Sequence, residues 1–242
     1  MKFTDILKSS SAKKKDFIHK NFVKDLVEDI QIDIEGNVHI RGSLRSVHGI
    51  KIEKLPFKIS TVSNKLELVN CGLTSLENFP NFARLVNVNE NATLTTLRMN
   101  GPLECNIFLA ENTGIKDFEG NQFTQAKSMY LTNCKNLVSL NGLNQHIYVR
   151  LISLQGCQNF NHRDPDLYTY NIRDISVDTD ANLSPFLMSF LKGYPKMLFH
   201  NDNFEKTKQL NDTIKPFTGT GPKNMINLIR ALKDAGYKVR IS

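Results

Sequence analysis

Cysteine is scarce in this chain, four residues among 242 (Cys71, Cys105, Cys134 and Cys157), and no two of them form a CxxC pair. That argues against zinc-ribbon and thioredoxin-type sites. The six histidines (His19, His39, His48, His146, His162, His200) show neither HxxxH nor HExxH spacing, so no metal and no cofactor is expected. No run of about 18 uncharged apolar residues is present, which argues against a membrane-spanning helix. The stretch from Met1 to Lys15 lacks the apolar core and small-residue cleavage site of a secretory signal. Together these absences predict a cytoplasmic protein whose cysteines are reduced core thiols.

What is present points to a folded chain, because 40% hydrophobic and 23% charged residues are enough to build a core. The dominant signal is a repeat. Leu66-x-Leu68, Val86-x-Val88, Ile107-x-Leu109, Met129-x-Leu131 and Ile152-x-Leu154 are each followed three residues later by Asn or Cys: Cys71, Asn91, Asn112, Cys134 and Cys157. A further apolar residue follows in every unit (Leu73, Leu94, Ile115, Leu137, Phe160), and the first four add another three residues on (Leu76, Leu97, Phe118, Leu140). The second strand residues are 20, 21, 22 and 23 residues apart. Alternation marks short strands with one buried face, and near-constant spacing stacks them side by side. An Asn where the chain turns inward bonds backbone groups that stacking would otherwise bury without partners. Ile175-x-Val177 and Met197-x-Phe199 continue the pattern less regularly, and Val38-x-Ile40 is a degenerate first turn.

The ends read differently. Residues 1–29 are expected to be a basic tail (Lys8 to Lys15) and a short amphipathic helix (Phe17 to Glu28). Residues 30–60 form an N-terminal cap, with alternating Ile30, Ile32 and Ile34 and a hairpin turn at Glu35-Gly36-Asn37. Residues 61–200 make the solenoid and 201–242 a helix-strand cap. Ser184-Pro185 and Gly221-Pro222 each open a helix, closed by Gly193 and Gly236. Met225, Ile226, Leu228, Ile229 and Leu232 supply an apolar face to the second helix, and Tyr237, Val239 and Ile241 alternate as a last strand.

The LxLxx(N/C) units resemble the leucine-rich-repeat family over residues 38–199. The segments Leu73-Thr-Ser-Leu76-Glu-Asn-Phe-Pro80 and Asn133-Cys-Lys-Asn-Leu137-Val-Ser-Leu140-Asn-Gly142 are most similar to the short, Asn-rich type encoded by large tailed bacteriophages and some bacteria. The resemblance implies an α/β solenoid with a parallel sheet on one face and mostly irregular turns on the other; the helices expected near the C-terminus depart from the family pattern. It implies protein binding and no catalytic residues.

The residues between and just after the inward strand positions face outward. Glu67, Asn87, Phe108, Tyr130, Thr132, Ser153 and Gln155 are therefore the candidate protein-binding residues, with Phe108 and Tyr130 as an exposed aromatic pair. Arg84, Lys127 and Arg150 form a basic edge at the strand starts. Net charge is +7, and ten Lys/Arg against four acids lie between Leu191 and Ser242. Two alternatives follow: nucleic-acid binding through that basic region, and a structural role in a virus particle. His162-Arg163-Asp164 lacks the Asn a kinase loop requires, since Thr169 stands there. Gly219-Thr-Gly221-Pro-Lys223 does not match a phosphate-binding loop and is explained as a helix start.

Overall fold

The computed structural model describes residues 11–160, 167, 170–178, 181, 183–200 and 204–239, His200 by its backbone alone. The first part of the basic tail, the His162-Arg163-Asp164 loop, Arg240 and Ile241 lie outside the described residues. The chain forms a parallel-sheet solenoid of about seven turns with a few helices near its C-terminal end. The strands are β1 (Val27–Ile32), β2 (Val38–Gly42), β3 (Leu44–Arg45), β4 (Ile59–Glu67) and β5 (Phe82–Asn87), then β6 (Leu103–Leu109), β7 (Phe123–Tyr130), β8 (Val149–Ser153), β9 (Ile172–Asp178) and β10 (Lys196–His200). From β4 onward each pairs in parallel with the next, and β2 and β3 both pair in parallel with β4.

At the N-terminal end β1 pairs antiparallel with β2, Ile30 opposite Ile40 and Ile32 opposite Val38, with Gly36 left-handed in the turn (φ 82°). The expected hairpin is present, although Ile34 is fully exposed at its tip rather than inward. The expected helix is displaced. Helix α1 (Ser11–Asn21) takes in Lys13, Lys14 and Lys15 and stops well before Glu28. Two contacts draw the chain out of the helix: Phe22 bridges to Ser46, and the Val23 amide donates to the Arg45 carbonyl at 2.9 Å. Ile18 and Phe22 are buried, Phe17 packs edge-on against Phe57 at 5.5 Å, and Lys14 holds its ammonium over the same ring, 5.7 Å from the centroid, and donates to the Gly36 carbonyl.

Inside the coil, one inward column runs Leu66, Val86, Phe108, Met129, Ile152 and Ile175, and a second runs Val62, Ala83, Cys105 and Ala126. The floor residues Leu73, Leu94, Ile115, Leu137, Leu76, Leu97, Phe118 and Leu140 are all fully buried. The third repeat is shifted by one residue from the sequence expectation. Phe108 and Ala110 point inward and are fully buried, so Ile107 and Leu109 point outward. Four successive apolar residues, Ile107 to Ala110, satisfy period-2 alternation in either register. The inward space opposite Phe123, met edge-on at 5.0 Å, goes to Phe108.

The inward polar column is Cys71, Asn91, Thr113, Cys134 and Cys157, so Thr113 takes the place expected for Asn112. Asn112 is instead the exposed left-handed residue just before it (φ 54°), aligned with Asn70 (51°), Glu90 (62°) and Asn133 (57°). Asn91 bonds in both senses: Oδ1 accepts the Cys71 and Leu73 amides at 2.9 and 3.0 Å, and Nδ2 donates to the Leu68 and Val88 carbonyls at 2.7 and 2.8 Å. The other members mainly donate. Thr113 Oγ1 and Cys134 Sγ each donate to the Ala110 carbonyl at 2.9 Å, and Cys157 Sγ donates to the Leu131 carbonyl at 2.9 Å. The thiols are free and buried, as expected.

At the C-terminal end a 3-10 turn (Ser184–Phe186) leads into α2 (Leu187–Lys192), closed by left-handed Gly193. A further 3-10 turn (Pro222–Asn224) leads into α4 (Met225–Asp234), which buries Leu228 and Leu232 but leaves Ile226 exposed. Between them lies α3 (Phe204–Ile214), which the sequence reading did not anticipate because only Leu210 and Ile214 are buried on it. Tyr237 to Val239 are not in a strand; the Lys238 carbonyl accepts the Leu183 amide at 2.9 Å instead.

Candidate functional site

The outward face of the sheet is built by the same register that fills the core. One outward column runs Glu67, Asn87, Leu109, Tyr130, Ser153 and Ser176, and beside it lies a second: Lys65, Leu85, Ile107, Ser128, Leu151 and Asp174. Backbone bonds between successive turns (Asn70 amide to Asn89 carbonyl, Glu90 to Glu111, Asn112 to Thr132, Asn133 to Gln155) set a third: Val69, Asn89, Glu111, Thr132 and Gln155.

Six of the seven residues expected on this face belong to it, and two of the seven are buried. Phe108 lies in the core at 0% exposure, so the expected pair with Tyr130 does not exist; Tyr130 sits opposite Leu109. Ser153 occupies an outward position but is only 3% exposed. The other five are half-buried. Glu67 accepts the Arg45 guanidinium at 2.8 Å, Asn87 Oδ1 accepts the Asn89 amide at 3.0 Å, and Gln155 Nε2 donates to Ser176 Oγ at 3.1 Å. These bonds hold the amides and the carboxylate flat along the sheet.

The missed residues change the character of the face. Leu85, Ile107, Leu109 and Leu151 are half-buried, as is the expected Tyr130. Leu85, Ile107 and Leu109 adjoin on β5 and β6, Tyr130 lies opposite Leu109, and Leu151 stands beyond Ser128 and diagonal to Tyr130, which makes an aliphatic patch with one phenol and one hydroxyl in it. Polar residues surround it: Lys65, Glu67 and Asn87 on one side, Glu111 and Thr132 on another, Ser153 and Asp174 beyond. The left-handed positions at Asn70, Glu90, Asn112 and Asn133 carried the signal that would have placed Ile107 and Leu109 outward.

One polar network among the described residues lies at the N-terminal hairpin. His39 joins Thr61 Oγ1 at 3.0 Å through Nδ1 and Asp33 at 3.2 Å through Nε2. Hydrogen bonds from the Asn37 side chain, with smaller ones from backbone amides and His39, hold the Asp33 carboxyl down at about 2. This network ties the hairpin turn to β2 and β4. Burial, with the Glu104 carboxylate as the lesser cause, pushes the Cys105 thiol up to about 12. The hydrogen bond between Cys134 and Cys157 is the largest cause at both, lowering the Cys134 thiol to about 7 and raising that of Cys157. A thiol raised like that of Cys105 stays protonated and is a poor nucleophile. Among the described residues no three or more His, Cys, Asp or Glu side chains group to hold a metal ion. No helix among them is long and apolar enough to cross a membrane.

Fold and face together define a capped parallel β-solenoid with a partly apolar outward sheet. Comparison with known families, curated proteins and solved structures returns no match.

Proposed function

We propose that the chain is a non-enzymatic binding module that docks another protein on the outward face of its sheet. The observation that supports this is the aliphatic patch of Leu85, Ile107, Leu109 and Leu151 with Tyr130 at its side. A cluster of apolar side chains rimmed by polar groups is the anatomy of a protein interface, and its desolvation drives association. The rigid sheet holds the patch in one shape, so a partner meets little ordering cost. The Asn-rich turns suggest leucine-rich-repeat kinship and a phage setting, in which the partner is a host or virion protein met in the cytoplasm or in a particle.

Photo-crosslinking tests the reading. A crosslinking side chain at Leu109 should capture one protein from the native source in high yield. The same group at Val138, exposed elsewhere on the coil, should not, and Leu85→Ser/Leu151→Ser in the same chain should abolish capture without changing the circular dichroism. Equal capture from both positions would remove the sheet face as the docking site.

A further inference from the structure

A second column runs along the outer face where each strand bends. Ala83 and Val86 both point inward although they are three residues apart, and so do Ala126 and Met129. The residues between them are pushed outward as a ridge. Strand register aligns the ridge as Arg84, Asn106, Lys127, Arg150 and Arg173. Four of these five successive rungs are cationic, and all four cations are exposed. Neighbouring rungs of a sheet lie about 4.8 Å apart. Like charges at that separation repel and weaken the ladder unless an anion lies across them. Arg173 has Asp174 at 3.5 Å, but Arg84, Lys127 and Arg150 have no ion pair among the described residues.

Two residues before two cations of the ridge stand exposed aromatics: Phe82 before Arg84 (37% exposed) and Tyr148 before Arg150 (48%). Phe82 lies opposite Glu104, which lies opposite Gln125, and Tyr148 stands just before Val149, which lies opposite Ile172. The acids facing the ridge are Glu104 opposite Phe82 and Asp174 beside Arg173.

We infer that this ridge binds single-stranded nucleic acid, its phosphates following the cations and its bases stacking on the flanking rings. The inference goes beyond protein docking and uses different residues. Cations in a line fit a linear polyanion, and rings with free faces fit unpaired bases, which every sequence offers. A duplex keeps its base faces stacked and would use the cations alone. The ridge of Arg84, Lys127, Arg150 and Arg173 lies on β5 to β9 and uses none of the lysines of the basic C-terminal region that the sequence suggested, which are spread over β10, the three helices and the turns between them.

Fluorescence anisotropy of a labelled oligothymidylate with the full chain tests the inference. The logarithm of affinity should fall against the logarithm of salt with a slope of about −3, since each neutralised single-strand phosphate contributes about −0.7. The triple variant Arg84→Glu/Lys127→Glu/Arg150→Glu should lose binding with no drop in melting temperature. Tyr148→Ala should weaken binding about tenfold while Tyr148→Phe does not. Leu109→Ser should leave it unchanged, which separates this site from the docking patch. Retention of affinity by the triple variant, equal affinity for a blunt duplex, or displacement by polyglutamate at equal charge would each overturn the proposal; the last would assign the ridge to an acidic protein.

Discussion

The tight-turned coils between residues 61 and 160 and the helical end between 183 and 239 solve one problem in two ways. In the coils, backbone groups opposite the sheet bond to the next turn: the Leu76 amide to the Arg98 carbonyl at 3.1 Å, Met99 to Gly120 at 3.0 Å, Phe118 to Asn141 at 2.8 Å. A coil of this kind cannot be an end, because its last turn would have no partner. Helices α2, α3 and α4 satisfy their own backbones and bury side chains, Leu191, Leu210, Ile214, Leu228 and Leu232, with α2 packed on β10 and α4 packed on α2 and α3. The coils are therefore sensitive to backbone fit and buried polar bonds, the helical end to apolar volume.

The largest effect should come from the coil backbone. Gly142 has φ 88°, and a Cβ there would lie 2.6 Å from the Phe118 carbonyl carbon and oxygen of the turn below. Gly142→Ala should abolish cooperative unfolding or lower stability by at least about 3 kcal/mol, as measured by urea titration. Asn91→Leu comes next, at about 3 kcal/mol, because it strands the buried amides of Cys71 and Leu73. Cys134→Ala in the same column should cost only about 1 kcal/mol, since one thiol donor is lost. Comparable losses for Asn91→Leu and Cys134→Ala would show that the column is filled by volume and not by bonding.

Leu228→Ala should cost about 2–4 kcal/mol through the cavity it leaves, with hydrogen-exchange protection lost in α2 to α4 and kept in β4 to β7. Uniform loss along the chain would erase the distinction between the two regions. The smallest effect concerns pH. Cys105 has a thiol raised to about 12 by burial against an ordinary value of 9.0, so its contribution is complete below pH 9 and fades as pH rises from 9 toward 12. Cys105→Ala should flatten the alkaline limb of a stability-against-pH curve, and an unchanged limb would contradict a buried neutral thiol.

Much of this was readable in the chain itself, because a solenoid writes its contacts at fixed spacing. The floor leucines, the hairpin at Gly36, the Gly193 and Gly236 helix ends and the buried cysteines were all legible. The third repeat was not, since Ile107-Phe108-Leu109-Ala110 is apolar in both phases and only the left-handed Asn112 breaks the tie. That one-residue slip moved an aromatic into the core and brought two aliphatic residues onto the binding face. Helix α3 was hidden for a different reason: its apolar face is two residues wide, below what a periodic pattern can announce.

Thiol labelling across that repeat is the most direct test, because the four native cysteines are buried and give little background. Leu109→Cys and Ala110→Cys should be made singly and treated with a maleimide under native conditions. Rapid modification at 109 and protection at 110 until the chain is unfolded is the predicted result. The reverse order would put Phe108 on the surface and Leu109 in the core, and the aliphatic docking face would not exist.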